Sequence, residues 1–146
     1  MAYAEHTEVS VDTSKRQIEA MLKGRGAGSY ATGWNATHDR IEFVLHHQTI
    51  RFTLPRVNPT EYETSRHGRM RSRSAVDKAV AQADRQRWRA LYLVIKAKLE
   101  AVDAGIAVYE QEFLAFIVDR NTDLTVGDIL VPRLTGGQPL QIGDGR

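Results

Sequence analysis

The chain has 146 residues, 42% of them hydrophobic and 26% charged, with a net charge of +2 and no cysteine. That size and balance describe one domain able to bury a core, and they exclude a disulfide framework or a thiolate metal site. No apolar run approaches the roughly 18 residues that cross a bilayer, and Met1 to Asp12 is too polar and acidic for a secretory signal, so a cytoplasmic protein with no membrane partner is expected.

Residues 1–12 read as a flexible N-terminus. Ser14 with Gln17 makes a capping-box pattern, and Ile18, Met21 and Leu22 follow at helical spacing, which predicts a helix over about 14–23 with a stop at Gly24. The turn Gly24-Arg25-Gly26-Ala27-Gly28 follows a helix and precedes strands, the reverse of a phosphate-cradling loop. Ser29 to Trp34 is expected as an edge strand, joined through the polar loop Asn35 to Asp39. Ile41, Phe43 and Leu45 then alternate with polar residues, as do Ile50, Phe52 and Leu54. A turn at His47-Gln48 pairs Leu45 with Ile50, Phe43 with Phe52 and Ile41 with Leu54, all on one apolar face. Pro55 ends the hairpin.

Residues 56–73 show no periodicity and contain Pro59 and Gly68, which predicts a long mobile loop. Ser74 with Asp77 caps a helix that runs to about Ala104, with Trp88, Leu91, Ile95, Leu99 and Val102 as its core stripe. A second helix is expected over Ile106 to Val118. Thr125 with Asp128 starts a short one that stops near Pro132, and residues 136–146 read as a flexible tail. The whole is a single α+β domain over 1–146: an N-terminal helix, a three-stranded antiparallel sheet, a long helix and one or two short C-terminal helices.

Charge is spread unevenly along these elements. Residues 51–100 hold 12 Lys+Arg against 5 Asp+Glu, a local charge of +7, whereas 1–50 sum to −1 and 101–146 to −4. The densest run, Arg66-His67-Gly68-Arg69-Met70-Arg71-Ser72-Arg73, leads into the long helix. On that helix Lys78, Arg85, Arg89 and Lys96 fall within roughly 20° of one line at about 100° per residue. Such a concentration is the electrostatic footprint of a polyanion binder. Arg51 belongs to the outer face of the sheet in the expected register. If Trp34 pairs with Arg40, Tyr30 and Trp34 join Arg51 there as a surface on which bases could stack.

Other constellations carry less. His46 and His47 are adjacent on a turn and point different ways, so a site with His38 needs irregular backbone. Asp119-x-Asn121-x-Asp123 begins like a calcium loop, but Leu124 and Leu130 stand where it needs Gly and Glu. No serine sits in a nucleophile-elbow context. No cofactor, metal or catalytic group is expected, although paired carboxylates of a metal-dependent nuclease assemble in space and leave no spacing to read.

Two resemblances follow from these residues. The stretch Arg85 to Val102, with Phe113 to Val118 and Thr125-Val126-Gly127-Asp128, resembles small uncharacterised proteins encoded by bacteriophages and prophages, which implies a phage setting in a bacterial host but no mechanism. The order helix, three strands, helix preceded by cations is similar to the double-stranded RNA-binding domain. That family uses cations at the start of its last helix and a histidine-bearing loop between its first strands, positions occupied here by Arg71, Arg73, Lys78 and His38. Its consecutive lysines are absent and the last helix is much longer. The resulting expectation is a non-catalytic protein contacting DNA or RNA phosphates through Arg51, Arg66, Arg69, Arg71, Arg73, Lys78, Arg85, Arg89 and Lys96. The alternative is a protein-interaction module, either a homo-oligomer or an inhibitor of a host protein.

Overall fold

A computed structural model describes residues 4–136; the expected flexible tail beyond Gly136 lies outside the described residues. The elements in chain order are α1 (Val11–Gly24), β1 (Ser29–Trp34), β2 (His38–Leu45), β3 (Gln48–Pro55), a 3-10 turn (Pro59–Tyr62), α2 (Arg73–Asp103), α3 (Tyr109–Glu112), a second 3-10 turn (Leu114–Phe116) and α4 (Val126–Thr135). The sheet order is β1-β2-β3, antiparallel throughout. This is the α+β arrangement read from the sequence. No helix among the described residues is long and apolar enough to cross a membrane.

The helix starts differ from expectation by a few residues. Ser10, not Ser14, caps α1, its Oγ accepting a hydrogen bond from the Thr13 N–H. Ser14 lies inside the helix, fully buried, with its Oγ unpaired. Ser72, not Ser74, caps α2 by accepting from Ala75 N–H. The described part of the N-terminal lead-in is docked: Ala4 is buried, and Gln82 of α2 donates its amide to the carbonyls of Glu5 and Thr7.

The hairpin of β2 and β3 turns two residues earlier in pairing than the alternation implied. His46 and His47 have φ of +50° and +64°. Two left-handed residues in a two-residue turn match the twist of the strands, so Leu45 pairs with Gln48, Phe43 with Ile50 and Ile41 with Phe52. A shift of two preserves which side chains face inward, and Ile41, Phe43, Leu45, Ile50 and Phe52 all reach the core. The strained turn is held by the His46 ring against Tyr109, centroids 4.4 Å apart, and by Arg120 donating to the His47 carbonyl.

α2 lies across the apolar face of the sheet beside α1. Trp88, Leu91, Ile95 and Leu99, the stripe expected from spacing, are buried against Ile18, Leu22 and the inward strand residues. Each such side chain contributes roughly 1.5–3 kcal/mol by leaving water. Gly105, at φ +71°, turns the chain out of α2. The expected helix over Ile106 to Val118 is broken into α3 and the second 3-10 turn. Beyond them Ile117 bridges Ile50 and Val118 N–H donates to Thr49 O, so this segment covers the outer edge of β3. α4 keeps its expected capping box, Thr125 with Asp128, but runs through Pro132 to Thr135 instead of stopping there.

Candidate nucleic-acid interface

The basic run has local structure that its lack of periodicity conceals. Pro59–Tyr62 forms a 3-10 turn capped by Asn58. Thr64 then bridges Met70, Ser65 N–H donates to Arg69 O at 2.8 Å, and Arg71 N–H donates to Glu63 O at 2.8 Å. Gly68, at φ +76°, closes the tip. Arg66 and Arg69 project from this small hairpin, and Arg71 and Arg73 flank Ser72 where it caps α2. Arg66, Arg69, Arg71, Arg73 and Lys78 are all exposed. Among the described residues none of the five forms an ion pair.

Their placement opposes the helix field. The unpaired N–H groups at a helix start favour acidic side chains and disfavour basic ones. α2 has no acidic residue in its first turn, while Arg71 and Arg73 stand on either side of its cap. An anion bound there would satisfy both the cations and the helix terminus.

The helical stripe is divided by its neighbours. Lys78 has no ion-pair partner among the described residues, and Lys96, exposed, lies 3.9 Å from Glu100. Arg85 donates twice to Gln82 Oε1, at 3.2 and 2.5 Å. Arg89 donates to Gln17 Oε1 of α1 and lies over the Tyr92 ring, 4.3 Å from its centroid. Both are half-buried. The middle of the line is thus engaged within the fold, Arg85 by Gln82 of the same helix and Arg89 by Gln17 across to α1.

Arg51 is not a surface cation. It is 6% exposed, and it donates to Glu42 Oε2 at 2.9 Å and to Asp123 at both its carbonyl, 2.6 Å, and its carboxylate, 2.7 Å. Burial works against its charge, but the hydrogen bonds to Asp123 and Glu42 outweigh it and raise its pKa. The same bonds from Arg51 hold the Asp123 carboxyl below its ordinary value. Asp123, at φ +58°, brings the loop before α4 down over the outer face of the sheet. The expected contact to phosphate is thus replaced by a structural clamp.

The expected stacking surface is also taken apart. Trp34 pairs with Asp39, not Arg40, and Tyr30 pairs with Phe43, so both lie on the helix-covered face, opposite Arg51. Tyr30 is half-buried, its OH donating to the Lys15 carbonyl of α1; burial, and then Glu19, push its pKa up to about 12. Trp34 lies beyond the helix cover and is 78% exposed. The signal for this register is Asn35. Its Oδ1 accepts from Thr37 N–H and His38 N–H, at 2.9 and 2.7 Å, forming a tight turn that places Trp34 opposite Asp39.

That turn creates a cleft of about 310 Å³ lined by Gly33, Trp34, Asn35, His38, Arg40 and Thr53. Arg56, the first residue of the basic segment, lies over the Trp34 ring at 5.6 Å and donates to Asn35 O at 3.1 Å. The sequence did not single out Arg40 or Arg56. Asp39, paired across the strands with Trp34, is buried and ion-paired with Arg87 of α2, which also donates to Pro55 O at 2.5 Å. His38 sits at the opposite end of β2 from His46 and His47, and among the described residues no group of three His, Asp or Glu side chains is placed to hold a metal. No family model, curated protein or solved structure matches the chain.

Proposed function

We propose that this chain is a non-catalytic, phage-type nucleic-acid-binding protein that neutralises backbone phosphates through Arg66, Arg69, Arg71, Arg73 and Lys78. One observation carries the reading: five exposed cations, without an acidic partner among the described residues, surround the start of a 31-residue helix that has no acid in its first turn. Folding alone favours the opposite arrangement. The phage setting rests on the resemblance over Arg85 to Val102 and Phe113 to Val118. Binding of this kind is mostly indifferent to sequence and weakens steeply with salt. An electrophoretic shift with DNA and RNA at low and raised salt tests it; binding that ignores salt, or no binding to either, refutes it.

A second reading, a protein-interaction module, is supported by α4. This helix carries Val126, Ile129, Leu130, Val131 and Leu134, yet none of its residues is buried. Val131 and Leu134 lie beside an apolar groove of about 350 Å³ that includes Leu114 and Phe116. Self-association through this face predicts a dimer by light scattering that Leu134→Asp dissolves; a monomer at all concentrations removes that form of the reading.

A further inference from the structure

We propose that the cleft at Trp34 is a stacking site for a single unpaired base of a nucleic-acid strand, with Arg56 holding the adjoining phosphate. The proposal rests on the reading of the basic segment as a phosphate-binding surface and specifies which nucleic acid it prefers.

Trp34 is a large aromatic ring left 78% exposed at the end of an edge strand, so its burial adds little to the fold. Its surroundings are built, not incidental. Arg56 occupies one face of the ring, and the high exposure leaves the opposite face open. Arg56 is fixed in turn by its donation to Asn35 O and by its own N–H to Thr37 O at 2.9 Å. Asn35 Oδ1 ties down the turn, and the Thr37 hydroxyl is hydrogen-bonded to His38 Nδ1 at 2.8 Å. A preorganised aromatic loses little freedom on binding.

The charge of the cleft suits an anion next to a π-surface. None of its lining residues is acidic, Arg56 is exposed, and Asp39, the acid paired across the strands with Trp34, is engaged by Arg87. A volume of about 310 Å³ is at the small end of ligand sites, which begin near 300 Å³, and takes one unit of a strand. A base inside a duplex has no free face for the ring, whereas every unpaired base does. Arg56 also opens the segment that carries Arg66 to Arg73.

The chain has two tryptophans, and Trp88 is 1% exposed, so emission that responds to ligand reports on Trp34. Titration with an oligothymidylate of about 12 nucleotides is expected to quench that emission saturably, and a duplex of equal length to leave it largely unchanged. Trp34→Ala should abolish the quenching and lower the ratio of single-strand to duplex affinity by about 5- to 150-fold, the range of base–aromatic stacking, with Trp34→Phe recovering much of the loss. Because the side chain is exposed, the folded state survives its removal. A gel shift of the strand with no quenching overturns the proposal while leaving the phosphate-binding reading intact. No shift with any nucleic acid overturns both. Saturable quenching by a micromolar mononucleotide, with none by the strand, identifies a free-nucleotide site and overturns it as well.

Discussion

Replacing Arg69, Arg71 and Arg73 together by Ala removes three of the five exposed, unpaired cations between Arg66 and Lys78. The hydrogen bonds that shape this segment run through the backbone of Ser65, Arg69, Arg71 and Glu63, so the substitutions leave the hairpin intact, and circular dichroism and the melting temperature should barely change. Each phosphate neutralised on a duplex contributes about −0.9 to the slope of log affinity against log salt. Five contacts give a slope of about −4.5, or roughly a 500-fold loss between ~50 and ~200 mM salt; the two that remain in the triple variant give about −1.8 and roughly 12-fold. Fluorescence anisotropy of a labelled duplex over that range measures both slopes. If Arg51, Arg85, Arg89 and Lys96 also bound phosphate, the wild-type slope would approach about −8. That value would refute the assignment of Arg51, Arg85 and Arg89 to the fold, and an unchanged slope in the triple variant would refute the basic hairpin as the contact.

Three further outcomes follow from the packing. Arg51→Ala should cost about 2–3 kcal/mol in chemical denaturation, below the usual 3–5 for breaking a buried pair, because the side chains of Glu42 and Asp123 are 34% and 78% exposed and regain water; a loss under about 0.5 kcal/mol, the surface value, would show that the clamp is idle. Gly127→Ala places a Cβ 2.8 Å from the Ala115 carbonyl, so α4 must shift away from the second 3-10 turn at a cost of about 1–3 kcal/mol, seen as faster hydrogen exchange confined to α4. Tyr30 and Tyr109 have pKa values raised by burial from 10 to about 12; the folded state therefore holds their protons more tightly than the unfolded chain, and stability that is complete below pH 10 should fall as pH rises from 10 to about 12, with alkaline difference absorbance showing their late ionisation.

Much of the fold was legible because it is written in periods. The 3.6-residue spacing of Trp88, Leu91, Ile95 and Leu99 and the alternation of Ile41, Phe43, Leu45, Ile50 and Phe52 both mark buried faces. Face assignment within the hairpin survived even though the pairing was wrong by two residues, since only an odd shift exchanges the faces. The turn itself was not legible: His46 and His47 are poor markers for a pair of left-handed residues, which glycine and asparagine usually announce. The same parity decided the opposite outcome for Trp34. A shift of one, set by the Asn35 side chain, carried it and Tyr30 to the other face from Arg51. The division of α2 by Gln17 and Gln82 depends on residues more than 60 positions away in one case and on a local side-chain choice in the other, and neither follows from a charge count.

The distribution of these cations also separates folding from binding on energetic grounds. Where a cation serves the fold, a partner is placed for it: Arg51 has Glu42 and Asp123, Arg87 has Asp39 and Asp84, Arg25 has Asp103, and Lys98 has Glu112. The partnered set spans the sheet, the helix seam and the approach to α4, the places where two elements must be held in register. Between Arg66 and Lys78 no such partner is supplied among the described residues, although Asp77 lies within the stretch, Glu61 and Glu63 lie close in sequence, and Glu63 is joined to Arg71 only through its backbone carbonyl. Five like charges at the positive end of a helix repel one another and the helix terminus, and the fold offers nothing in return. Removing them should therefore leave stability unchanged or raise it slightly at low salt while weakening nucleic-acid binding, a trade between stability and function that surface cations of purely structural role would not display.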